Sequence, residues 1–480
     1  MTKFHQMLQK QLNTQLLIDV NTVCITQGHP GLPNFFQKKN RSSAISYDVI
    51  NLFRHWMIAA YNHSIQLIAA QLLYFKDAGI PFSRLHDVEY PFGCGEYHDV
   101  SCIFKNFDRD PEDPTAYNFA LTDLYFEYIQ KAGAKIIYRL GCTIEHQASK
   151  RYIYPPKDFK KWAQICEHII RHYNEGWANG YHMNIEYWEI WNEPDGILWL
   201  GTPEQYYELY KTTALHLKSC FPNLKIGGPA LCVGSNEFAE GMLDYLTAGD
   251  ERVPLDFYSW HTYCSTPEQI VEQSENAHKL LVAHGYDKTE SIVDEWNYVT
   301  VNTWDEVGDA WDVIQSVKGA AFNASVMIAL QNSTCDIATY YDAQLTFHHW
   351  WNGMFGRCKS RSFFTGMESV YPKKGYYPFK AFGELYRLGN QVSATSEDAQ
   401  IYILAATNGS NKHAVMLANY SDDAACAKQM RLNLSGCDNA KSDIYLVDET
   451  HDFALVDTFE GTCKDITLPA NSVMFVVVDA

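Results

Sequence analysis

From residue 16 to residue 342 the chain alternates short β-like runs with longer helix-like stretches, and this alternation restricts the fold more than any other feature. The β-like runs cover residues 16–21, 81–87, 135–141, 187–193, 225–230, 255–263, 290–297 and 336–342. Between them, Leu121, Leu124, Tyr125, Tyr128 and Ile129 fall at helical spacing. Phe159, Trp162, Cys166, Ile169 and Tyr173 do the same just after Pro155-Pro156, where proline favours a helix start. Strands joined through helices run parallel, and eight such units close into a (β/α)8 barrel. The first unit is the least regular, because residues 22–46 intervene before the next helix-like stretch.

After Gly383-Glu384 the period shortens. Alternating runs at 401–406, 413–418, 429–434, 443–447 and 472–478 are separated by turn clusters such as Asn408-Gly409-Ser410-Asn411 and Ser435-Gly436. The expected organisation is a barrel with long loop insertions over residues 1–385, followed by an antiparallel β-sandwich over 386–480.

Composition narrows the partners. The chain is 46% apolar and carries a net charge of −19, which suits large buried cores and repels phosphate backbones and anionic lipid surfaces. Neither nucleic acid nor membrane is therefore an expected partner; a neutral sugar suits such a surface. The first residues are interrupted by polar side chains throughout, so no export signal is expected. Thirteen cysteines, scattered without a Cys-x-x-Cys pair, read as thiols in a reducing cytoplasm.

In a barrel of this kind the chemistry sits where the strands end at their carboxyl side. The fourth run ends Trp188-Glu189-Ile190-Trp191-Asn192-Glu193-Pro194, and the seventh ends Val293-Asp294-Glu295-Trp296-Asn297. Two glutamates, Glu193 and Glu295, thus face each other across the barrel mouth. Carboxyl groups about 5–5.5 Å apart can break a glycosidic bond, one donating a proton to the leaving oxygen while the other attacks the anomeric carbon. Trp191, Trp199 and Trp296 are candidate apolar walls and sugar platforms.

Side chains two apart on a strand share a face. That places Arg84 and His86 together, likewise Ser259, His261 and Tyr263, and likewise Glu189, Trp191 and Glu193. A buried Glu189 needs a cation, so a pairing with Arg84 or Arg139 is expected. Asp294 and Asp87 fall on the opposite face and read as structural. Glu145 and His146 are weaker candidates for substrate contact.

The Asn192-Glu193-Pro194 and Glu295 pair resembles clan A of the retaining glycoside hydrolases. More narrowly, Trp188–Asp195, Ser83-Arg84-Leu85-His86, Tyr258-Ser259-Trp260-His261-Thr262-Tyr263 and Gly375–Phe382 together resemble family 39, the β-xylosidases and α-L-iduronidases. Asp294-Glu295-Trp296-Asn297 is also similar to the arabinofuranosidases of family 51. The resemblance implies Glu193 as acid/base and Glu295 as nucleophile. It further implies substrate contacts from His86, Asn192, His261, Tyr263 and Trp296, with Arg84 and Glu189 supporting.

No Gly-x-Gly-x-x-Gly follows a strand, and no phosphate loop exists. His168 and His172 stand four apart on a helix but read as a solvated outer face, and His348-His349 has no companion ligands. No metal and no cofactor is expected. The expected activity is a cytoplasmic retaining exo-glycosidase for short β-xylosides or xylo-oligosaccharides. The rival substrates are α-L-arabinosides and α-L-iduronides, and the rival class is a non-catalytic sugar-binding protein. The resemblance allows either a monomer or a homo-oligomer.

Overall fold

The computed structural model describes residues 72–85, 98–142, 152–250, 252–300, 307–343, 352–357, 370–423, 425–437 and 440–479. Seven parallel strands form one sheet in sequence order: β1 (Phe82–Arg84), β2 (Lys135–Leu140), β3 (Tyr187–Ile190), β4 (Lys225–Leu231), β5 (Phe257–Cys264), β6 (Glu290–Tyr298) and β7 (Ile337–Tyr340). They coincide with seven of the eight expected runs. The run at 16–21 lies outside the described residues, as do Asp87, Glu145, His146 and His348-His349.

The strands are apolar because helices cover the sheet from outside while their own side chains fill the centre. Inward-facing Phe82, Ile137, Tyr187, Phe257 and Ile292, with Ile337, make an apolar layer low in the barrel. Gly227 on β4 leaves room for this layer, since a Cβ there would stand 2.2 Å from the Phe257 carbonyl oxygen. One step higher the layer turns polar, with Arg84, Arg139, Glu189, Ser259 and Asp294.

Among the outer helices, Phe159–Glu175 shows how the sequence sets the packing. Asp158 accepts a hydrogen bond from the Lys161 amide (3.1 Å) and caps its start. Trp162, Cys166, Ile169 and Tyr173 bury one stripe against the sheet, as their spacing predicts. His168 and His172, expected in solvent, are instead buried. The ring of His172 stacks on Phe119 at 3.6 Å and bonds Asp123 (3.0 Å), while His168 bonds Glu112 (3.2 Å). The segment leading into the preceding helix covers that flank, which a periodicity taken from one helix does not reveal.

A hairpin of β8 (Phe355–Arg357) and β9 (Val370–Pro372) precedes the last helix, Tyr376–Leu388. Beyond it come β10 (Asn390–Val392), β11 (Ile401–Thr407), β12 (Lys412–Asn419), β13 (Lys428–Asn433), β14 (Lys441–Val447), β15 (Asp452–Glu460), β16 (Cys463–Leu468) and β17 (Ser472–Asp479). Six of these form an antiparallel sheet ordered β10-β11-β12-β17-β14-β15, and β13 pairs with β16. On β17, Met474, Val476 and Val478 join a core with Leu432, Ile466 and Leu468 of the small sheet. The alternate residues Val473 and Phe475 join the barrel's own core. Helix Val317–Gln331, apolar all round, is buried along nearly its whole length. Among the described residues no single helix is long and apolar enough to cross a membrane.

Candidate active site

The end of β3 departs from strand geometry, and the site depends on that departure. Trp191 (φ 78°) and Glu193 (φ 45°) adopt left-handed backbone, which bulky residues take only under constraint. The constraints are visible. Trp191 donates its amide to the Leu140 carbonyl (2.7 Å) and its indole N–H to that of Leu198 (2.9 Å), while Glu193 donates its amide to the Ala230 carbonyl (2.8 Å). Gly141 allows this approach, because a Cβ there would stand 2.9 Å from the Trp191 Cα.

The twist changes which residues face inward. Trp191 does not share a face with Glu189 and Glu193 as strict alternation predicts; its ring packs beside Trp162 and Trp199. Trp199 is likewise buried, against Tyr206. In exchange, consecutive Asn192 and Glu193 both reach the barrel interior.

A second departure occurs on β6. Pairing with β5 runs Trp260 to Val293 and then His261 to Glu295, so Asp294 is an extra residue in the ladder. A bulge of this kind turns neighbouring side chains to the same side. Asp294 therefore points inward beside Glu295, which corrects its expected place on the opposite face. Trp296 then faces outward. It is 1% exposed, between Tyr340 and Phe379 and near Phe322.

Arg84 organises the cluster. Its Nε donates to Glu189 Oε2 (2.8 Å) and lies 3.0 Å from Asp294 Oδ2. One terminal nitrogen donates to Glu295 Oε1 (2.7 Å), and the other to Asn192 Oδ1 (2.6 Å). Burial alone pulls the guanidinium pKa down, but the charges of Asp294, Glu189 and Glu295 raise it above its ordinary value. The expected pairing of Glu189 is thus with Arg84; Arg139 bonds Asp99 (2.7 Å) and His98 (2.8 Å) instead.

His261 links the two glutamates. Its Nδ1 lies 2.9 Å from Glu193 Oε1, and its Nε2 lies 3.5 Å from Glu295 Oε1 and 3.4 Å from Asp294 Oδ1. Carboxylate oxygens of Glu193 and Glu295 and a ring nitrogen of His261 all lie within 4.8 Å of one another. A cation would accept the same three groups, as it would Glu167, His216 and Cys220 between two outer helices, where Glu167 already bonds Arg171 and His216.

Tyr263 donates to Glu295 Oε2 (2.9 Å). Burial, and then the adjacent Glu295 charge, push its phenol well above the ordinary range, so it holds its proton and remains a donor. Tyr263→Phe should lower kcat/KM by about 10- to 100-fold with the fold intact. Steady-state kinetics on an aryl glycoside measures this, and an unchanged value would show the bond to be dispensable. His86 lies outside the described residues.

A parallel barrel whose β3 and β6 close on facing glutamates, one held by arginine and tyrosine and the other by histidine, defines the class of barrel glycosyl hydrolases. The chain belongs to glycosyl hydrolases family 39, whose model matches residues 82–445. A β-xylosidase of Geobacillus stearothermophilus is 25% identical over 355 residues, 65% of this chain and 66% of that enzyme. A β-xylosidase of Caldicellulosiruptor saccharolyticus is 30% identical over 175 residues, 34% of each. The matches thus span about two thirds and one third of these relatives. A glucosidase from Croceicoccus marinus shares the fold with a TM-score of 0.68 at 23% identity, over 85% of this chain and 91% of that one.

Proposed function

We propose that this chain is a retaining exo-glycoside hydrolase that cleaves short β-xylosides or xylo-oligosaccharides by double displacement. Glu193 is the acid/base and Glu295 the nucleophile. The observation that carries this assignment is the closeness of the two carboxylates, one oxygen of each lying within 4.8 Å of the other. Inverting enzymes hold theirs about 6.5–9.5 Å apart to admit a water, so the closer spacing favours direct attack and a covalent glycosyl–Glu295 intermediate. The unequal environments support the division of roles. Glu295 receives a charged and a phenolic donor, which favour its anion, while Glu193 meets a histidine and keeps a side chain 22% exposed.

Asn192 supports a sugar contact. Its carbonyl oxygen is engaged by Arg84, and its buried Nδ2 has no partner among the described residues, leaving a donor for a sugar hydroxyl beside the nucleophile. The xylosidase relatives favour a xyloside as substrate. Free thiols at Cys166, Cys232, Cys264 and Cys335 support a reducing, cytoplasmic setting.

Glu193→Ala tests the assignment. Glycosides with poor leaving groups need the proton and should slow by about 10²–10⁴-fold, whereas activated aryl xylosides should lose far less. Equal losses on both would refute the role. Release of β-xylose as the first product, read by NMR before mutarotation, is the expected stereochemistry; α-xylose would exclude double displacement. A panel of β-xyloside, α-L-arabinoside, α-L-iduronide and β-glucoside reads the sugar.

A further inference from the structure

We propose that Asp294 is a positioning residue that holds a proton, donating it to Glu189, so that the two buried carboxyls carry one negative charge between them. Glu189 Oε2 lies 2.8 Å from Arg84 Nε and 2.7 Å from one of its terminal nitrogens, and Asp294 Oδ2 lies 3.0 Å from the same Nε, so both carboxyls crowd one edge of a single guanidinium. Their side chains are wholly buried, and that of Arg84 is 3% exposed. A third carboxylate, Glu295, takes another nitrogen of the same guanidinium. Three ionised carboxylates would leave two uncompensated charges on almost wholly buried side chains, which is costly.

The groups around Asp294 come from several strands. Arg84 lies on β1, Glu189 on β3, His261 on β5 and Glu295 beside it on β6, while Cys335 just before β7 carries a thiol close enough to interact and Thr339 on β7 bonds the Asp294 carbonyl. Among the described residues Glu189 Oε1 and Asp294 Oδ1 have no well-aligned donor, and a carboxyl-to-carboxylate hydrogen bond would supply one. The two carboxyls are pushed apart in the matching sense. Burial pushes Asp294 well above the usual carboxylate range, against the lowering by Arg84 and with the Glu189 and Glu295 charges adding to the rise. Burial also raises Glu189, but Arg84 and hydrogen bonds from Asp294 and Ser259 bring it below its ordinary value.

The consequence concerns the nucleophile. With Asp294 neutral, Arg84 and Glu189 cancel and Glu295 is the remaining anion in the cluster. An ionised Asp294 would instead set a second negative charge against Glu295 and raise its pKa.

Asp294→Asn, which keeps the shape and supplies an N–H donor to Glu189, decides the matter. Both limbs of the kcat/KM pH profile should stay in place, and kcat/KM should remain at least about tenfold above that of Asp294→Ala, which leaves Glu189 without its donor. Were Asp294 charged in the native enzyme, its neutralisation would move the acid limb down by about one pH unit or more. That shift, or an Asn variant no better than Ala, would overturn the proposal. Infrared spectra of protein labelled with 13C at aspartate carboxyls give an arm independent of turnover. A protonated aspartic acid band should persist at pH 8 in the unaltered protein and vanish in Asp294→Asn. Its absence from the unaltered protein would sink the proposal, whether or not the variant folds. The kinetic arm rests on Glu295 as nucleophile; the infrared arm does not, so failure of that assignment and of this one are separable.

Discussion

Glu295→Ala should abolish turnover of every glycoside, by at least about 10⁴-fold in kcat, whatever the leaving group. On the proposed mechanism, losing Glu295 removes the route to the covalent intermediate, and protonation by Glu193 would not replace a bond to the anomeric carbon. The fold should survive. Glu295 sits among Glu189 and Asp294 around a single guanidinium, so its deletion relieves like-charge repulsion and leaves Arg84 still paired. Near-native thermal unfolding should accompany the lost activity. Azide, small enough for the vacated space, should restore turnover of an activated xyloside and yield the glycosyl azide of inverted configuration. Full activity without azide, or a rescued product of retained configuration, would remove Glu295 from the mechanism.

Loss of Arg84 is the second large effect, and it should strike stability and chemistry together. Arg84→Met leaves Glu189, Asp294 and Glu295 buried without their shared cation, a change that costs about 3–5 kcal/mol for a broken buried pair. The nucleophile also loses the charge that favours its anion, so the acid limb of kcat/KM should move up by about 1–3 pH units. Its Nε and both terminal nitrogens each engage an acceptor, so Arg84→Lys, a point charge without the planar fork, cannot satisfy Glu189, Glu295 and Asn192 at once. The lysine variant should fold better than the methionine variant yet fall by about 10²–10³-fold in kcat/KM. Calorimetry beside a pH–rate profile separates the two losses. A methionine variant with unaltered stability and an unmoved limb would show that the cluster does not depend on this cation.

Much of the site was legible in the sequence because strand period and chemistry coincide there. On β5, Phe257, Ser259, His261 and Tyr263 alternate inward, Phe257 ending in the apolar layer and His261 and Tyr263 on the two glutamates. On β1, Phe82 and Arg84 do the same. The need of a buried Glu189 for a cation narrowed its partner to Arg84 or Arg139, and the structure selected Arg84. Legibility failed where the period broke. Positive φ at Trp191 and Glu193 and an extra residue at Asp294 move side chains to a face that period two forbids. For the same reason Trp191 and Trp296, read as cleft walls, pack among other aromatic rings, Trp191 beside Trp162 and Trp199, and Trp296 beside Tyr340 and Phe379. The strand Asp452–Glu460 also escaped notice: it lies at the edge of its sheet with most side chains exposed, so no apolar alternation marks it.

What the sequence by itself determined was the barrel and the residue types that end its strands. Apolar runs between amphipathic helices can bury their surface only as a parallel sheet with helices outside, and that architecture confines the chemistry to the strand ends. What only the tertiary structure decided was which carboxylates meet. Asp294 and Glu189 lie 105 positions apart, on strands separated by two others, and local periodicity carries no information about that distance. Their encounter on one side of Arg84 follows from closing the sheet into a barrel, which brings strand interiors to a common axis where burial makes every unpaired charge expensive.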